Sequence, residues 1–211
     1  MAHNYDDAID SKRDPARETA RPGSIAAPRF RAIDTVRHRL SDGDLILFRR
    51  RGLIAIAGRG LHSHAGMVAW WSGCLMLIEA TFPRARAITL DAAVARYPAR
   101  LDVFRANPAG RHAFDRRGAV DAMRRLCGRA YSLAGLLRVA CYHLTGFRFL
   151  LRPGTDDTRN GAGPMICSQA IAWSTRTGGG VDPVPNLEDR STEPADLARS
   201  TFYQYEFTLT Q

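Results

Sequence analysis

Apolar positions along this chain fall into two rhythms, and each predicts a different kind of element. The first is the short run or alternation bounded by turn residues. "LILF" follows Ser-Asp-Gly-Asp and reads as a turn leading into a strand over 44–49. "HAGMVAWW" and "CLMLIEAT" are two more strands, separated by Ser72 and Gly73 in the manner of a hairpin. "RLDVFRAN" and the final "FYQYEFTL" add two further strands. The second rhythm is helical. "TLDAAVARY" opens on two cap candidates, Thr89 and Asp91. From Asp115 to about Cys127, the residues Val120, Met123 and Cys127 recur at helical spacing, with arginines on the opposite face. "SLAGLLRVACYHLTGF" predicts a second, mostly buried helix, "MICSQAIAWSTRT" a third that starts directly after a loop, and "PADLARS" a helical turn. "RGLIAIAGRG" is a short apolar helix or loop bounded by glycines, and residues 152–164 and 178–194 form two Gly- and Pro-rich loops.

A length of 211 residues with 45% apolar content suits one core-forming domain with a tail. Residues 1–35 mix both charge signs without an apolar stretch, so they read as a polar arm ahead of a domain spanning 40–211, and not as a secretory signal. A cytoplasmic location is the default expectation, with export by a dedicated route left open. No run of 18 apolar residues is present, so no transmembrane segment is expected. The net charge of +9 is carried almost wholly by arginine, Lys12 being the only lysine. These arginines are scattered among acids and apolar residues and accompany no nucleic-acid motif, which leaves a weak attraction to anionic surfaces and no specific nucleic-acid partner. The four cysteines show no metal-ligand spacing and read as reduced. Cys74, Cys127 and Cys141 sit in apolar contexts and look like small core residues.

The hairpin carries the first chemical signal. If Trp71 and Cys74 flank the turn, the register runs Trp70–Leu75, Val68–Leu77, Gly66–Glu79 and His64–Thr81. His64 and Glu79 then share a face as diagonal neighbours, roughly 5–8 Å apart at the β-carbons. Gly66 leaves room for the carboxylate to cross. A carboxylate placed among Val68, Trp70, Leu75 and Leu77 is costly unless paired, and a histidine supplies the partner. Two other readings of the hairpin stay open. Glu79 could end its strand in solvent while His64 merely packs. His62, on the same face as His64 by parity, could instead make an HxH metal pair, although no third ligand follows at a familiar zinc spacing.

A His–Glu pair lacks only a nucleophile, and "GAGPMICSQAIAW" offers one. The Gly-Ala-Gly-Pro break places Cys167 in the first turn of a helix, near the positive end of its dipole and beside unsatisfied N–H groups. Both favour the thiolate, and an adjacent imidazolium favours it further. The same N–H groups, from Cys167 and Ser168, can hold an oxyanion.

Taken together, "GDLILF", "SHAGMV" and "IEAT" resemble the block that follows the nucleophile in NlpC-type papain-fold peptidases. "GRAYS" and "CSQAIAW" resemble the segment those enzymes carry first. The reversed order found here resembles the circularly permuted NlpC-like group, which includes the YaeF/YiiX-like and poxvirus-related proteins and, more distantly, lecithin–retinol acyltransferase. "PADLARS" is similar to a Pro-x-Asp-Leu segment near the end of such chains. The resemblance covers roughly residues 40–207. It implies an α+β, papain-like fold in which a small antiparallel sheet packs on the helix carrying the nucleophile. It also implies Cys167 as nucleophile, His64 as base, Glu79 as the residue orienting the imidazole, and Tyr131 as an aid at the oxyanion, with no cofactor and no metal. The implied activity is hydrolysis of an amide in a peptide or cell-wall-type peptide. A lipid acyltransferase or phospholipase-like thiol enzyme, a delivered effector that modifies a protein, and a non-catalytic binding module on the same fold are the competing expectations.

Overall fold

The computed structural model describes residues 27–49, 60–137 and 163–211. Seven strands form one sheet: β1 (Phe30–Ala32), β2 (Leu45–Arg49), β3 (His62–Trp71), β4 (Cys74–Glu79), β5 (Arg86–Thr89), β6 (Leu101–Ala106) and β7 (Tyr203–Thr210). Their spatial order is β1-β7-β6-β2-β3-β4-β5, antiparallel throughout except for β1, which runs parallel to β7. Five α-helices lie wholly within the described residues: α1 (Ile33–Val36), α2 (Leu90–Arg96), α3 (Arg116–Arg124), α4 (Cys167–Thr177) and α5 (Pro194–Arg199). The fold class is α+β.

The "LILF" run has no polar side because β2 is the middle strand and is covered on both faces. Leu45 and Leu47 join Ala65, Met67, Ala69 and Ile78 beneath α3 and α4. Ile46 and Phe48 join Val68, Leu75 and Leu77 against the apolar residues of α1 and α2 on the other face. Of the two cap candidates for α2, Thr89 is the one used, its hydroxyl accepting from the Ala92 N–H at 3.3 Å. Asp115 caps α3 in the same way through the Gly118 N–H. Two glycines let α3 and α4 meet at backbone distance. A β-carbon on Gly118 would lie 2.2 Å from the Gly178 carbonyl oxygen.

All five expected strands are present, whereas β1 and β5 had no clear signal, being three and four residues long and largely charged or half-exposed. Two expectations are corrected. Cys74 is not a core residue: it sits exposed at the hairpin tip, where the turn residues Ser72 and Gly73 take positive φ. The helix expected from residue 132 does begin at Leu133, but Leu133 and Leu137 are 57% and 65% exposed rather than buried. Residues 138–147 of the segment expected to be that helix, with Cys141 among them, the "GLIAIAG" segment, most of the arm and most of the 152–164 loop lie outside the described residues.

Candidate active site

The site is built where one ladder stops. Strands β3 and β4 pair as the turn dictates, Trp71–Cys74, Trp70–Leu75, Val68–Leu77, and then end at Met67–Ile78. The next step, Gly66–Glu79, is not a ladder pair. The Leu77 side chain leans over Gly66 so closely that a β-carbon there would meet it at 2.7 Å. Antiparallel ladders alternate the side to which each residue bonds. The Val68 N–H faces β2, donating to the Asp44 carbonyl at 2.8 Å, so the Ala65 N–H faces the β4 side, past the last ladder pair. It donates instead to the Cys167 sulfur.

His64 lies beside this opening, its ring edge-on to Phe48 at 4.8 Å. Its Nε2 is 2.8 Å from Glu79 Oε2, which leaves Nδ1 for the hydrogen bond with Cys167. Glu79 is only 3% exposed, and its other oxygen, Oε1, accepts from Arg86 Nε at 2.9 Å and Nη2 at 2.7 Å. Arg86 stands directly across from Glu79 in the β4–β5 ladder. The four groups thus form one line: Arg86, Glu79, His64, Cys167.

Their protonation follows from mutual contact working against burial. Burial opposes the charge on His64, but the Cys167 sulfur and Glu79 outweigh it and push the imidazole up to about 10. Burial likewise opposes the Cys167 thiolate, yet the His64 charge and the N–H groups of Ala65 and Ser168 bring the thiol below its ordinary range. Glu79 is held below the usual carboxylate range by His64 and Arg86 despite its burial. The directions agree: His64 gains affinity for a proton while Cys167 and Glu79 lose theirs, which favours an imidazolium between a thiolate and a carboxylate.

Cys167 is the first residue of α4, and the cap position is occupied by Ile166, whose side chain has no acceptor to offer the first-turn N–H groups. The Gln169 side-chain Oε1 instead accepts from the Ile166 N–H at 3.2 Å. Ser168 contributes its backbone only. Its buried hydroxyl donates to the Thr192 carbonyl at 2.7 Å and so faces away from the thiol. Tyr131 is strapped next to the entry to α4: its N–H donates to the Pro83 carbonyl at 3.0 Å and it bridges to Met165 in parallel. Burial and the nearby Cys167 charge push its hydroxyl up, so it stays protonated and able to donate.

His62 is not on the face of His64. Phe48 pairs with His64 while Arg49 pairs with His62, so Ser63 is bulged out and reverses the alternation. His62 meets Phe104 edge-on, on the α3–α4 face, and is hydrogen-bonded to Asp102 at 2.7 Å. Asp102 has no exposed surface and also accepts from Arg49 and the Thr208 hydroxyl. The HxH metal pair therefore does not form. Two partners were missed from the sequence, Arg86 and Asp102. The alternation in "RARAIT" was the only hint of the strand that delivers Arg86.

No family model matches this chain, and no curated protein matches it in sequence. Among solved structures, the crystal structure of the metalloprotein YiiX from Escherichia coli O157:H7, a DUF1105 protein, aligns with a TM-score of 0.58. The fold is similar to that of YiiX. The alignment covers 81% of this chain and 98% of YiiX, at 13% identity, so the likeness is one of fold. Among the described residues no group of three or more His, Cys, Asp or Glu side chains is placed to hold a metal ion. Nor, among them, is any helix long and apolar enough to cross a membrane.

Proposed function

We propose that this chain is a cysteine hydrolase of the papain-like, circularly permuted NlpC type, cleaving an amide bond in a peptide or cell-wall-type peptide. The observation that carries the reading is Cys167 at the start of α4 hydrogen-bonded to His64, whose second nitrogen is held by a buried Glu79. The fold likeness to YiiX and the chain order His64, Glu79, Cys167 support it. For the metal named for YiiX, no group of three or more ligand side chains occurs among the described residues here.

In this mechanism the Cys167 thiolate adds to the carbonyl carbon. First-turn N–H groups of α4 receive the oxyanion, and the Tyr131 hydroxyl, which feels the Cys167 charge and stays protonated, is the auxiliary donor. The His64 imidazolium then hands its proton to the leaving amine, the C–N bond breaks, and a thioester remains. Neutral His64 next takes a proton from a water whose oxygen attacks the thioester. The carboxylic acid departs, and the thiolate–imidazolium pair is restored. Glu79 keeps the imidazole in one tautomer and one orientation throughout.

The test is the rate of Cys167 alkylation by iodoacetamide against pH, in the native protein and in His64→Ala. Rapid, selective labelling of Cys167 at pH 6 that the substitution slows is the expected result. Labelling that follows an ordinary thiol near pH 8.5, indifferent to His64, overturns the reading.

A further inference from the structure

Resting on the hydrolase reading, we infer that Arg86 is a positioning residue that holds Glu79 as an acceptor toward His64 through both halves of the reaction. The difficulty it meets arises in the middle of the cycle. While His64 is an imidazolium, Glu79 has a counter-charge at 2.8 Å. Once His64 has protonated the leaving amine, that charge is gone, and a carboxylate with almost no exposed surface is left behind. A buried carboxylate without a cation takes up a proton. A protonated Glu79 would donate its O–H to Nε2, and the neutral ring would then carry its own proton on Nδ1. Nδ1 is the nitrogen that faces Cys167 and has to accept a proton from water. Deacylation would stop.

Arg86 prevents this reversal. A guanidinium is a permanent cation. Nε and Nη2 both donate to Oε1, the oxygen that His64 does not use, so the cation remains whichever state His64 is in. The charged groups that face Glu79 are His64 from β3 and Arg86 from β5, with Cys167 of α4 behind His64. The Arg86 side chain is 41% exposed and belongs to neither of the two apolar clusters.

The experiment compares Arg86→Gln, Arg86→Lys, Glu79→Gln and the Glu79→Gln/Arg86→Gln double variant, each checked for its fold by circular dichroism. The readout is the acid limb of the Cys167 alkylation profile, where a Glu79 that has lost Arg86 takes up a proton, stops supporting the imidazolium and lets the thiol regain its proton at a higher pH. In Arg86→Gln that limb is expected to move up by about one pH unit, which lowers labelling at pH 5 by about tenfold. Arg86→Lys restores most of the loss. The double variant labels no more slowly than Glu79→Gln alone, because Arg86 acts through Glu79. An Arg86→Gln profile that coincides with the native one overturns the inference, and so does an additive loss in the double variant. If the native profile is itself that of an ordinary thiol, the hydrolase reading has failed. A displaced native profile with an indifferent Arg86 removes only this inference.

Discussion

His64 makes two bonds at once, and each fixes a different property of the thiol. The bond to Cys167 lowers its proton affinity, and the bond to Glu79 fixes which nitrogen faces it. A second histidine–carboxylate contact, His62–Asp102, sits nearby with a different character: it is closed in by Arg49 and Thr208 and has no exposed acceptor. Its role is to fasten the start of β3 across β2 onto β6. Asp102→Asn leaves the Arg49 guanidinium facing an uncharged amide, and breaking such a buried charge pair costs about 3–5 kcal/mol. A urea melt of the variant is expected to show a loss of that size. A loss under 1 kcal/mol would mean that the cluster is solvated and does not anchor the strand. At this scale the sequence was informative where residues are close in the chain. His64 and Glu79 could be paired from the turn between them, and Cys167 from the Gly-Pro break before it. Asp102 could not, because it arrives from a strand whose place beside β2 no local signal specifies.

Among the elements, the hairpin register was legible and its limits were not. Counting outward from Ser72 and Gly73 gives every observed β3–β4 pair, but counting assumes a ladder that never stops and never bulges. The site depends on both interruptions. The end at Met67–Ile78 turns the Ala65 N–H toward sulfur, and the Ser63 bulge sends His62 to the other face. Helix placement shows the same division. The caps Thr89 and Asp115 were readable, whereas the closeness of α3 to α4 depends on which glycines meet. Gly118→Ala forces a β-carbon against the Gly178 carbonyl, so the helices must part. Overpacking of this kind costs about 1–3 kcal/mol. Because α4 carries Cys167, denaturant unfolding and Cys167 labelling should both worsen. An unchanged midpoint would show that the two helices are less tightly engaged than the geometry demands.

For the whole molecule, the thiolate–imidazolium pair leaves a signature in stability against pH. Below the ordinary imidazole value of 6.5, the unfolded chain holds protons on both groups while the native pair holds one, so stability rises with pH. Between 6.5 and the ordinary thiol value of 9.0, both states hold one proton and the contribution is flat. Above 9.0 the unfolded chain has lost both while native His64 keeps its own up to about 10, so stability falls. The pair's share is the difference in unfolding free energy between the native chain and a Cys167→Ser/His64→Gln double variant. That difference should form a plateau over pH 6.5–9.0 with falling shoulders on both sides. A difference that stays flat across the whole range, without shoulders, would show that folding changes the proton affinity of neither group.

The spacing of these groups along the chain also sets an order of events. His64 and Glu79 are 15 residues apart and joined by a tight turn, a loop that closes cheaply and early. Cys167 reaches them only after β6 and α3 have formed and the chain has returned beneath the sheet. During synthesis both members of the acid–base pair emerge before the thiol, and the thiol stays an ordinary one until α4 docks on the sheet. Reactivity at Cys167 belongs to the assembled sheet and helix layer, and it is lost when that layer loosens.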